Sequence, residues 1–196
     1  MKLGLMDLRI LSNLRDSVWL ALGERMGLLL GIVGVLWGIH LVNVLVGGKL
    51  LGFGIRPRTW DGLWGILYAP FLHANFSHLL ANSLTFIPLA ALVSVRSPIH
   101  LASVSLLVVF VGGLGTWLLG RPSTHIGASG VTFGYIGYLL AAAWFARHPL
   151  DIVISLGVAI TYGGMLWGVL PSAPGVSWES HLFGALAGVF ASNYLH

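Results

Sequence analysis

Six apolar stretches, separated mostly by short connections, constrain this chain more than any other feature. They lie near residues 27–47, 78–95, 99–119, 129–146, 150–170 and 179–195. Each is long enough, or nearly so, to cross a hydrocarbon core of about 30 Å as an α-helix. Charged residues make up 8% of the chain, whereas a soluble domain carries about 25%. The fold expected is all-α, a polytopic, multi-pass integral membrane protein with six transmembrane helices in one bundle.

Residues 1–26 precede the first span. Asp7, Arg9, Arg15 and Asp16 interrupt any apolar core there, which argues against a cleavable signal. Leu3, Leu5, Leu8, Leu11, Leu14 and Val18 between those charges suggest an amphipathic segment on the cytoplasmic membrane surface. The membrane domain expected is 27–196. Residues 48–77 form the one long loop, carrying Phe53, Trp60, Trp64, Tyr68 and Phe71, side chains suited to headgroup depth.

With the N-terminus inside, Lys2, Arg9, Arg15, Arg25, Arg96 and Arg147 are cytoplasmic, and Lys49, Arg56, Arg58 and Arg121 are outside. Four of the inner charges precede the first span, which often sets topology. Both termini are therefore expected in the cytoplasm. The net charge of +4 comes from scattered residues, without the basic stripe that nucleic-acid binding needs. There is no cysteine, so thiolate nucleophiles, thiolate metal sites and disulfides are excluded.

Polar side chains are costly inside a bilayer and mark function there. Three apolar segments open with them. Gly127-Ala128-Ser129-Gly130 opens the fourth, His73-x4-His78-x3-Asn82 opens the second, and His181-x2-Gly184-x3-Gly188 opens the sixth. All three segments run from outside to inside. From Ser129 to Arg147 is roughly 27 Å, from Asn82 to Arg96 roughly 21 Å, and from His181 to His196 roughly 22 Å along a helix. Ser129, Asn82 and His181 therefore share a depth in the outer part of the membrane.

Taken alone, the Ser129 motif also fits small-residue packing between helices. The glycine stripes sharpen it. Gly184 and Gly188 make one smooth helix face, and Gly130 and Gly134 make a matching one. If these faces meet, Ser129 lies beside His181, and a neutral imidazole can take the hydroxyl proton. Gly127 and Gly130 relieve crowding where a loop enters the helix, and the helix N-terminus offers unpaired N–H groups to an oxyanion. His78 and Asn82, four residues apart, share a helix face and can both donate hydrogen bonds to it. No carboxylate is expected near His181, with Glu179 read as a solvated residue at the helix entrance. His73 reads as support for the outer loop. A metal site of His73, His78 and His181 is the competing reading, but the chain lacks H-E-x-x-H and a nearby acidic base, so no metal and no cofactor are expected.

Together the three motifs, in this order within six spans, resemble the rhomboid family of intramembrane serine proteases over about residues 60–195. The resemblance implies a rhomboid-like bundle with a partly membrane-embedded first loop and an aqueous cavity open to the outside. It implies Ser129 as nucleophile and His181 as general base. The oxyanion hole it implies is His78, Asn82 and the Ser129 N–H. The substrates implied are transmembrane proteins within the lipid bilayer, cleaved in or near their membrane segments. In the family the fifth helix and its following loop, here Pro171 to Ser177, gate entry. A tyrosine often follows the nucleophile by four residues; here it is Phe133, which keeps the ring for stacking and drops the hydroxyl. The family's first loop often carries a Trp-Arg pair, absent from residues 48–77. The alternatives are a catalytically inactive relative that binds transmembrane clients, and a small transporter or channel with polar groups through its full depth. The short soluble parts and lack of a targeting segment point to a bacterial inner membrane.

Overall fold

The computed structural model describes residues 3–171 and 175–196, with side chains at residue 20 and from 22 onward within those ranges. It is helical apart from loops, and its one β-type pairing among the described residues is an isolated bridge between Ile55 and His125. Helix α1 runs Leu3–Leu45, with its apolar span at Leu22–Leu45. The amphipathic character expected of residues 1–26 falls largely on side chains outside the described residues.

Two short helices, α2 (Trp60–Leu63) and α3 (Gly65–Tyr68), sit in the long first loop. The next three spans are α4 (Phe76–Val93), then α5 (Pro98–Leu107) continued through a π-turn at Val108–Gly112 into α6 (Gly113–Leu119), then α7 (Ser129–Phe145). Helix α8 (Pro149–Tyr162) extends as a 3-10 segment over Gly163–Val169, and α9 (Trp178–Leu195) ends the bundle. The six expected spans are therefore helical, and their ends lie within two residues of expectation except the start of α1, which runs back from the expected 27 to Leu3. Leu22–Leu45, Phe76–Val93, Pro98–Leu119 and Pro149–Val169 are long and apolar enough to cross a membrane; Ser129–Phe145 is a shorter apolar helix. The chain is an integral membrane protein with a helical bundle fold.

Local chemistry sets the helix starts. The Asn75 side chain accepts the His78 N–H at 2.9 Å and so caps α4. Ser97 accepts the His100 N–H at 3.0 Å, with Pro98 in the first turn of α5. Such caps satisfy donors that a helix start would otherwise leave unpaired.

Helix α7 is the axis of the bundle. Val131 through Leu139 are buried on every side, as expected of a helix enclosed by others. Its core partners include Phe86, Leu89 and Val93 of α4, Leu101 and Val104 of α5, Val158 of α8, and Ala187 and Ala191 of α9. Polar pairs add register: Tyr135 and Ser105 share a hydroxyl–hydroxyl bond of 2.7 Å, and Trp37 Nε1 of α1 donates to Ser83 Oγ of α4 at 3.1 Å. At the end of α7 away from Ser129, Tyr138 Oη lies 2.5 Å from His100 Nε2 and 2.9 Å from His196 Nε2. Arg96 and Asp151 pair there at 2.7 Å.

Helices α7 and α9 meet backbone to backbone, but the matching face expected of Gly130 and Gly134 is only partly there. The open side of Gly134 faces Val108, 2.3 Å from an added Cβ, and Gly137 is the α7 glycine that faces α9, at the Ala185 carbonyl. A Cβ at Gly184 would lie 2.1 Å from the Gly130 carbonyl oxygen, and one at Gly188 would lie 1.9 Å from that of Gly134. Neither position admits a side chain unless the helices part. Gly188→Ala is expected to cost about 1–3 kcal/mol, the range for overpacking a filled contact, read as a lower unfolding temperature in detergent. Gly31→Ala, where nothing lies within 4 Å of the added Cβ, is expected to stay within about 0.5 kcal/mol.

Candidate active site

Ser129 is the first residue of α7. The loop reaches it through Gly127, whose φ of 111° lies where side-chain-bearing residues are strained. That loop is held from three sides. The Gly127 N–H donates to the Ala69 carbonyl at 2.8 Å, and His125 exchanges two backbone bonds of 2.9 Å with Ile55 of the first loop. The Ala128 N–H donates to His73 Nε2 at 3.4 Å. His73 is itself buried, and its carbonyl accepts from His40 Nδ1 at 3.2 Å. His73 thus supports the loop that presents Ser129.

His181 lies one turn into α9 and is 9% exposed. Its Nε2 is 2.9 Å from Ser129 Oγ, and its Nδ1 is 2.9 Å from the Gly168 carbonyl oxygen. A carbonyl only accepts, so Nδ1 carries the proton and Nε2 presents its lone pair to the hydroxyl. Phe133 stacks on the imidazole, ring centroids 4.2 Å apart and planes 5° apart. The orienting group is therefore a backbone carbonyl on the 3-10 extension of α8. Gly168 had no spacing that marked it in the sequence; a Cβ there would meet Phe133 Cζ at 2.9 Å and His181 Nδ1 at 3.4 Å.

His78, Asn82, Ser129 and His181 line one cavity of about 480 Å³, with Asn75, Val176 and Ser177 at its wall. Asn82 Nδ2 is buried without a hydrogen-bond partner. A Cβ added at Gly127 would come within 2.7 Å of His78 Nε2 and 3.3 Å of Asn82 Nδ2, so both nitrogens converge on the backbone just before Ser129. An unpaired buried donor is costly to maintain, and an anion forming beside Ser129 would satisfy it. Gly130 stands against the Ser180 carbonyl, 3.3 Å from an added Cβ.

Glu179 departs from expectation. Instead of being solvated it is 2% exposed, with Oε1 3.4 Å from Arg121 Nε and accepting the Arg121 N–H at 3.2 Å. The carboxylate sits two residues before His181, yet its partner is arginine. Of the cap expected at Pro171 to Ser177, residues 172–174 lie outside the described residues. Among the described residues no group of three or more histidines and carboxylates is arranged to hold a metal.

Residues 61–196 match the sequence profile of the Rhomboid domain. The chain belongs to the rhomboid family. It is 42% identical over 176 residues to an uncharacterised protein of Mycobacterium tuberculosis (strain H37Rv), a match spanning 85% of this chain and 73% of that one. An uncharacterised Mycobacterium leprae protein is 38% identical, with 85% and 70% covered. A Bacillus subtilis protein provisionally named a rhomboid protease is 30% identical over 147 residues, with 71% and 69% covered.

Burial lowers the His73 pKa to about 4, assisted by the neighbouring His78 and His40. Its Nε2 accepts a backbone N–H, a bond only the neutral ring can make. The unfolded histidine titrates near 6.5, so the unfolded chain binds the extra proton first. The stability contributed by neutral His73 is fully present above pH 6.5 and is lost as pH falls through 4. In an unfolding series from pH 7 to 4, His73→Gln is expected to lose less stability than the unmodified chain.

Proposed function

We propose that this rhomboid is an intramembrane serine endopeptidase that hydrolyses peptide bonds in or near transmembrane segments of other proteins. The reading rests on one observation above all: Ser129 Oγ lies 2.9 Å from a His181 Nε2 whose tautomer is set by the Gly168 carbonyl. Nε2 takes the Ser129 proton as Oγ attacks the scissile carbonyl carbon. The resulting oxyanion accepts from Asn82, His78 and the Ser129 N–H. His181 then protonates the leaving amine, and the C–N bond breaks to give an acyl-enzyme. Water, deprotonated by the same nitrogen, attacks the ester and restores the serine.

Substrate must present an unwound stretch, since a helical backbone keeps its carbonyls engaged. Residues 27–196 form the protease domain in this reading, with 1–26 as an N-terminal cytoplasmic segment. Both termini face the cytoplasm of a bacterium, and the cavity opens to the other side of the inner membrane. Phe133 supplies the stacking surface for the base, and Gly127, Gly130, Gly184 and Gly188 supply close approach.

Purified chain reconstituted in liposomes with a single-span model substrate tests the proposal. Ser129→Ala and His181→Ala are expected to abolish cleavage, and Asn82→Ala to reduce kcat by about 10²–10³, the scale for one oxyanion donor. Cleavage by Ser129→Ala at the unmodified rate would rule the mechanism out. A folded unmodified chain that binds transmembrane segments and leaves them uncut would make it an inactive client-binding relative.

A further inference from the structure

Among the described residues Glu179 is the one buried charged side chain, and it lies two positions before His181. Removing a carboxylate from water costs several kcal/mol unless it is paired, so its partner has structural consequences. Arg121 Nε and the Arg121 N–H both face Oε1, and Oε2 is buried without a partner. The other end of the guanidinium fork, Nη2, donates to the Val176 carbonyl. The Arg121 carbonyl accepts from His125 Nε2 at 3.2 Å. One arginine thus touches three pieces of the cavity: the first turn of α9 through Glu179, the cavity wall through Val176, and the Ser129 loop through His125.

The neighbouring chain is secured to the first loop as well. Arg58 donates to the Leu118 and Gly120 carbonyls at 3.1 and 2.8 Å, and Trp117 Nε1 donates to the Thr59 carbonyl at 2.9 Å. Arg121 therefore stands on a braced support. The glycine faces of α7 and α9 fix how closely those helices approach. They do not fix the first turn of α9, where His181 must meet Ser129.

We propose that Arg121 and Glu179 are a positioning pair, a clamp of one partly exposed arginine on one buried carboxylate that holds the outer end of α9 and the Val176 backbone against the Ser129 loop and so sets the Ser129–His181 distance. The inference rests on the dyad reading above. Neither residue touches substrate; each acts through His181. An arginine fork serves two acceptors at fixed geometry, which a lysine cannot do.

The test measures kcat and KM for the single-span substrate in liposomes, per site titrated with a fluorophosphonate, alongside unfolding temperature. Misplacement of a catalytic group by about 1 Å can cost 10²-fold, so Glu179→Gln and Arg121→Gln are each expected to lower kcat per titrated site about 10- to 100-fold. KM is expected to change less than about threefold, because ground-state binding does not depend on the dyad's alignment. The double variant Arg121→Gln/Glu179→Gln is expected to be no slower than the slower single, since the two act as a unit. Should the glutamine variants not fold, Arg121→Lys keeps the charge opposite Glu179 and loses the reach to Val176. It is expected to lower kcat several-fold with little change in unfolding temperature. Unchanged kcat per titrated site in the folded variants, with Ser129→Ala inactive, overturns the clamp and leaves the dyad standing. A rise in KM alone would also overturn it. Full activity in Ser129→Ala overturns the dyad and the clamp together.

Discussion

Backbone contact between α7 and α9 is the constraint on which the rest of this structure depends. In lipid the hydrophobic effect does not drive helices together, so association relies on packing and polar bonds. Glycines at 184 and 188 set against the carbonyls of 130 and 134 bring two backbones within reach of van der Waals contact. Ser129 opens one of those helices and His181 stands one turn before Gly184 on the other. The fit of the two faces brings these turns together, and Ser129 Oγ and His181 Nε2 lie 2.9 Å apart there. Helices α4, α5 and α8 add their apolar residues to the core around this pair, and Val131 through Leu139 of α7 are buried.

The loops at the Ser129 end of the bundle perform a second task. Helix contacts alone leave the polar residues free to face any direction, and the loops remove that freedom. The first loop pairs with His125 and Gly127, His73 supports Ala128, and Asn75 begins α4 so that His78 and Asn82 look toward Ser129. The polar groups of the site are thus aimed by backbone hydrogen bonds from the loops.

Most of the fold was legible in the sequence because lipid imposes one simple rule, a run of apolar residues long enough to cross. Span ends were less legible. Helices α4, α5 and α8 start one or two residues earlier than the apolar pattern suggested, because Asn75, Ser97 and the prolines at 98 and 149 act outside the apolar run. The meeting of Ser129 with His181 was readable from Gly130, Gly184 and Gly188 and from matched positions along the helices, whereas Gly134 turns its open side to Val108 and Gly137 faces α9 instead. The Gly168 carbonyl was not, since a backbone acceptor has no residue type to reveal it. Glu179 was misread for a related reason. A carboxylate at a helix entrance looks solvated until a partner from elsewhere in the chain, here Arg121, covers it.

The Gly168 carbonyl ties the imidazole to the most exposed of the four long apolar spans. It stands on the extension of α8, a span whose most apolar window is 6% buried, against 39% for that of α4. Sideways displacement of that extension withdraws the acceptor from Nδ1, and the ring can then carry its proton on either nitrogen. On Nε2 the proton points at Ser129 and leaves no lone pair to receive one. The protonation pattern of His181 and the seating of the α8 extension are in this way linked, and the hydroxyl keeps its acceptor while the Gly168 carbonyl stays against Nδ1.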